Sequence, residues 1–184
     1  MLTMEERVQG KRRPIPAYFS DVSEALHAAG ASALGSRQNE ALNESRVKAS
    51  HHFKDIIGVM DKRPLSFSEQ ADIRNFVGAT VGHLSLMPAG SEAGRRVSGQ
   101  NKPIVDFHSA VMKNLDKGVP WSESRERLDG LYDKAADRFS NLMGERKPLG
   151  YLDAVAFRQH AEAIIGLNLL MHGRHLQPGK TAPL

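Results

Sequence analysis

The feature that most constrains this chain is its last long apolar run, within residues 149–172. There Tyr151–Met171 reads YLDAVAFRQHAEAIIGLNLLM, and its second half is interrupted only by Gly166 and Asn168. The run is too long for an ordinary strand. Ala, Leu and Met outnumber Val and Thr in it, so a helix is predicted. At 3.6 residues per turn, Leu152, Ala156, Ala163, Ile164, Leu167, Leu170 and Met171 share one broad arc, with Ile165 and Leu169 on the opposite side. A helix that is apolar on both sides belongs at the centre of a bundle. The run falls short of the ~18–20 residues of a membrane span, and Arg158, His160 and Glu162 stand at its start, so no span is expected.

Further helices are predicted upstream from apolar steps of three and four. One follows Asp21 and Glu24, read as a capping box, and runs to Ala29. A long one covers 37–61, capped by Ser36, with Leu42, Ala49, Phe53, Ile56 and Met60 inward and Arg46 as a polar interruption. A third covers 67–86 behind a Ser66–Glu69 capping box, with Ile73, Val77, Val81 and Leu84 as its stripe. Gly78 and Gly82 leave a shallow face there, which another helix can approach. A fourth covers 103–116, with proline in its first turn and Gly118 at its end. A fifth covers 122–143 after the single tryptophan, Trp121. The expected fold is all-α: a single-domain antiparallel bundle of about six helices around a central C-terminal helix. The domain spans residues 20–173, with a candidate subdomain break at the 88–102 loop. Residues 1–19 read as a flexible basic arm, because Pro14 and Pro16 disfavour a helix, and 174–184 as a frayed tail.

Composition sets few limits on function. A chain of 184 residues with 40% hydrophobic and 25% charged residues can bury one sizeable core. The chain has no cysteine, which removes disulfides and thiolate metal sites. A net charge of +4 is compatible with an anionic partner without requiring one. The N-terminus shows no apolar core of a secretory signal, so the expected location is the cytoplasm, or outside the cell by a route that uses no cleaved signal.

The polar positions are the functional candidates. His160 falls within the apolar arc of the last helix, and His108 within the inner face of the fourth. Each is either a hydrogen-bonded core histidine or an acid–base group lining a pocket. Asn168 needs partners if its face is covered. The pair His51–His52 points ~100° apart on a helix and suits metal chelation poorly, and no metal or cofactor is expected. Basic residues gather at Lys11, Arg12 and Arg13 and in the 88–102 loop at Arg95, Arg96 and Lys102. Both groups are candidate anion- or partner-binding elements. Gly94 and Gly99 have the spacing of a phosphate-binding loop, but Gln100 and Asn101 replace its Lys-Ser/Thr. Hydrolase, zinc-peptidase, calcium-loop and dinucleotide signatures are absent.

Three function classes remain. The first is a helical interaction or regulatory protein that docks on another macromolecule, with small effector modules as the fold-level analogy. The second is a nucleic-acid-binding protein using the basic arm and the Arg95/Arg96 loop. Aromatics make up only 6% of the chain and offer little base stacking. The third is an enzyme acting on an anionic substrate with a core-facing histidine. Another protein is the first partner expected, and the heptad-like steps also permit self-association.

Overall fold

The computed structural model describes residues 13–29, 34–87, 100–144 and 149–173. Among them are six helices and no strand: α1 (Pro14–Ala29), α2 (Ser36–Ile57), α3 (Phe67–Ser85), α4 (Lys102–Lys117), α5 (Trp121–Gly144) and α6 (Tyr151–Met171). They pack as a helical bundle. α1 lies on α2 and α3, α4 lies on α5 and α6, and α3 against α6 joins the two groups.

Local chemistry sets the ends. Ser66 accepts the Glu69 backbone N–H, and the Glu69 carboxylate accepts the Ser66 N–H at 2.8 Å, so the expected capping box opens α3. Arg63 grips the same carboxylate with two N–H groups. Gly118 closes α4 at φ 61°, a left-handed cap that glycine adopts without strain.

The start of α1 differs from expectation. Pro14 and Pro16 do not exclude a helix; they occupy its first turn, where a missing N–H leaves no intrahelical bond unmade. Residues 14–19, expected in a flexible arm, therefore carry the buried side chains of Ile15 and Tyr18. Asp21 sits inside the helix rather than at its cap, and accepts the Ser45 hydroxyl of α2 at 2.7 Å.

α6 is the central helix. From Ala156 to Leu170 most of its side chains are buried, including Ile165 on the side opposite the main arc. Leu152, placed on that arc by the wheel, is instead 72% exposed. The inward position in the first turn goes to Asp153, whose carboxylate accepts the Gly150 N–H and the Asn101 side-chain amide. The helix end's need for acceptors outweighs the apolar pattern there.

Two close approaches depend on glycine. A methyl at Gly166 would stand 2.8 Å from Val111 Cγ1 and 3.1 Å from Leu115 Cδ1, so α4 presses directly on the α6 backbone. A methyl at Gly82 would meet Val22 and Leu26 of α1 at 3.0 and 3.1 Å, so the Gly78–Gly82 face does receive a helix. A chain of rings runs through the core and visits every helix. It passes from Tyr18 to Phe76, stacks Phe76 on Phe53 at 4.6 Å, and reaches Phe139, His160 and Phe107.

These contacts give a paired expectation. Gly166→Val forces atoms into a filled contact and lowers unfolding free energy by about 2 kcal/mol. Gly130→Ala in α5, where a Cβ meets nothing within 4 Å, raises it by roughly 0.5–1 kcal/mol through helix propensity. Urea denaturation of both variants checks this, and a Gly166→Val protein as stable as wild type would contradict the close packing.

Candidate functional site

Apart from Asn168 and Thr80, which bond to backbone groups, the buried polar side chains fall into four places. The first surrounds His160. This imidazole is 2% exposed, stacks on Phe139 at 4.5 Å and lies 6.1 Å from the Phe107 ring. Its Nδ1 has no hydrogen-bond partner in the protein. Burial pulls its pKa down to about 4, so the ring is neutral at pH 7. His160 lines a cavity of about 480 Å³ between α2, α3, α5 and α6, together with Phe53, Phe76, Tyr132 and Phe139.

The second place joins α1, α2 and α3. His83 is fully buried. Its Nε2–H faces the Asn39 carbonyl oxygen at 3.1 Å, which leaves Nδ1 to accept the Tyr18 hydroxyl at 2.9 Å. Burial, reinforced by the Arg46 charge, pulls the His83 pKa down to about 4. Burial also pushes the Tyr18 phenol up. Arg46, read as an interruption of a stripe, donates to the Met143 carbonyl at 3.1 Å and so ties α2 to α5.

The third place is the buried carboxylate of Asp72. The Arg13 guanidinium pairs with it, and His52 Nε2 lies 3.7 Å away. The fourth is a cluster at the start of α4 and α6. The Asn101 side chain accepts from Arg138 Nε and donates to Asp153, both at 2.9 Å, and donates more weakly to the Leu152 carbonyl.

The candidate site residues are thus dispersed. His108 is half-buried at the edge of the α4 apolar face, not at its centre, because Phe107, Ala110 and Val111 take the inward positions. Burial lowers its pKa, opposed by the Glu162 carboxylate, which itself pairs with Arg74. His108 does not line the His160 cavity. Lys102 belongs to α4 rather than to a loop and pairs with Asp106 one turn on. Arg13 is held by Asp72. Lys11, Arg12, Arg95 and Arg96 lie outside the described residues. Among the described residues no three His, Asp or Glu side chains gather to hold a metal ion. No helix there is long and apolar enough to cross a membrane.

Sequence reasoning missed His83 and Asp72. Their signal was present: Asp72, Phe76, Ala79, Thr80 and His83 form a second buried stripe on α3 beside Ile73, Val77 and Leu84. A helix flanked by α1, α2 and α6 buries two faces, and one apolar stripe describes only one of them. Comparison with family models, curated proteins and solved structures finds no match to this chain.

His83 and His160 make stability depend on pH. Both are neutral in the fold with pKa values near 4, against 6.5 for an exposed imidazole. Below pH 6.5 the unfolded chain takes up protons that the fold refuses, so their contribution is full above 6.5 and is lost as pH falls towards 4. Stability should drop by about 1 kcal/mol per pH unit for each imidazole across that window. Urea titrations at pH 7 and pH 5 read this directly; equal midpoints would contradict the neutral, buried assignment.

Proposed function

We propose that this protein is a helical interaction module that docks on another protein through the corner where α6 begins. One observation carries the reading. Tyr151 and Leu152, the first two residues of the most buried helix, are 81% and 72% exposed. Val105, one turn into α4 from Asn101, adds a partly exposed apolar side chain at 40%. Aromatic anchors of this kind dominate the binding energy of protein interfaces. The Asn101–Arg138–Asp153 cluster holds the backbone beneath them, which favours a preorganised surface.

Among the described residues, the charge distribution favours a protein partner over nucleic acid. Arg13 and Lys102 are each engaged by a carboxylate. The large open groove between α4 and α5 mixes Asp106 and Glu126 with Lys113, Arg127 and Lys134. A polyanion is attracted by one sign of charge over an extended surface, and this groove offers both.

A photo-crosslinking amino acid placed at Tyr151 tests the reading, with Phe67 as the comparison site because it is 84% exposed on α3. In extract from the native source, position 151 should capture one discrete protein and position 67 none. Leu152→Ser should cut the yield about tenfold, while changing stability by no more than ~0.5 kcal/mol. Equal capture at both positions, or crosslinks only between copies of this chain, would contradict docking on another protein. Salt-sensitive binding to duplex DNA without any protein capture would favour the nucleic-acid class instead.

A further inference from the structure

The cavity beside His160 has a composition that packing alone does not call for. Its inner wall is made of rings: Phe53 and Phe76 stack at 4.6 Å with 25° between their planes, and Phe139 stacks on His160 at 24°. Ile164 and Ile57 line it as well, together with the exposed Lys54. The volume of about 480 Å³ falls in the range of small-molecule sites, which are mostly apolar with a few fixed polar groups. A core needing only to be filled would close this space with larger side chains.

The buried polar group is His160; Ser50, Tyr132 and Ser140 add more exposed hydroxyls. A buried imidazole with an unmatched nitrogen costs on the order of 1–3 kcal/mol, and its Nδ1 finds no partner in the protein. Leucine or methionine at this place would stack under Phe139 without that cost. The rings around the space take up part of their own faces by stacking on one another, and suit an aromatic body chiefly through edge contacts. The inner wall carries no charged side chain, so a charge placed there would be desolvated without compensation.

We propose that this cavity binds a small aromatic compound carrying one uncharged hydrogen-bonding group, such as a hydroxyl or a ring N–H, and that His160 is the residue that reads that group. The neutral imidazole presents one donor and one acceptor and so accommodates either polarity of bond. The exposed Lys54 ammonium tolerates an anionic substituent at the outer end of the ligand, whereas the same charge at the inner end would be rejected. This site is independent of the α6 corner proposed above to dock on a protein, so either can fail without the other.

The test uses the full chain with three probes of similar shape: 2-naphthol, naphthalene and 2-naphthoate. Calorimetric or fluorescence titration gives the affinities, and side-chain ¹⁵N resonances report on each histidine. 2-Naphthol should bind roughly tenfold more tightly than naphthalene, the difference made by one buried hydrogen bond, and should shift the His160 ring resonances while leaving His108 unmoved. In His160→Leu the preference for the hydroxyl should fall below about threefold. Ala136→Phe, which fills the cavity from α5 and keeps the imidazole at 160, should abolish binding of both. Equal affinity for naphthol and naphthalene in the wild-type protein would overturn the role of His160. Binding that survives Ala136→Phe would place the ligand elsewhere. The absence of any saturable binding, with only water exchanging at the His160 ring, would overturn the site. Preferential binding of 2-naphthoate together with protonation of His160 would overturn the uncharged class of ligand.

Discussion

The turn between α2 and α3 is fastened to the central helix by one side chain, Asn168. Its carbonyl oxygen accepts the Leu65 backbone N–H at 2.9 Å, and its amide group donates to the carbonyls of Met60 and Arg63 at 2.7 and 3.1 Å. His172 Nε2 reaches the Met60 carbonyl as well, at 3.0 Å. These backbone groups belong to no helix, and Met60 and Leu65 are buried, so water cannot satisfy the groups of those two residues. A leucine at 168 would suit the apolar run better, but it would strand the buried Leu65 N–H and leave the Met60 carbonyl to His172 alone. The asparagine fixes where α6 lies against the α2–α3 half, and the α3–α6 contact on which the bundle closes follows from that placement.

The chain of rings through the core rests on the same alignment. Phe53 and Phe76 meet Phe139 and His160 only if α6 and α5 stand at the right height against α2 and α3. Two imidazoles sit in this core and are treated differently. His83 has both nitrogens matched, by Tyr18 and Asn39, and serves as a structural junction. His160 has a nitrogen without a protein partner and faces a cavity. Location in the core therefore does not tell the two apart; the accounting of each nitrogen does.

The helices were legible because their periodicity and end signals agree. The Ser66–Glu69 box, the proline at the start of α4, Gly118 after it and the long apolar run of α6 all stand where simple rules put them. The errors came where a local signal met a tertiary demand. Pro14 and Pro16 read as breakers but fit a first turn. Asp21 read as a cap but bonds across to Ser45. Leu152 read as core but gave way to Asp153, whose carboxylate the helix end and Asn101 both use. His108 lay one position from the true centre of its face, an offset that a wheel drawn on an ideal helix does not resolve. The network around His83 was hidden because its partners are 44 and 65 residues away in sequence. The cavity, likewise, is a property of four helices together and of no single stretch.

The exposed Tyr151–Leu152 corner and the ring-lined cavity are both departures from what stability alone would select, one on the surface and one inside. Both are positioned by α6, so the clasp at Asn168 is the contact whose failure would remove the basis for each. Native-state hydrogen exchange at the Leu65 amide measures that clasp without mutation. Held by a buried side chain, this amide should exchange only when the whole bundle unfolds, with the same protection as amides in the middle of α6. Exchange orders of magnitude faster, at the level of an open turn, would show that Asn168 does not hold it and that the central helix is positioned by something else.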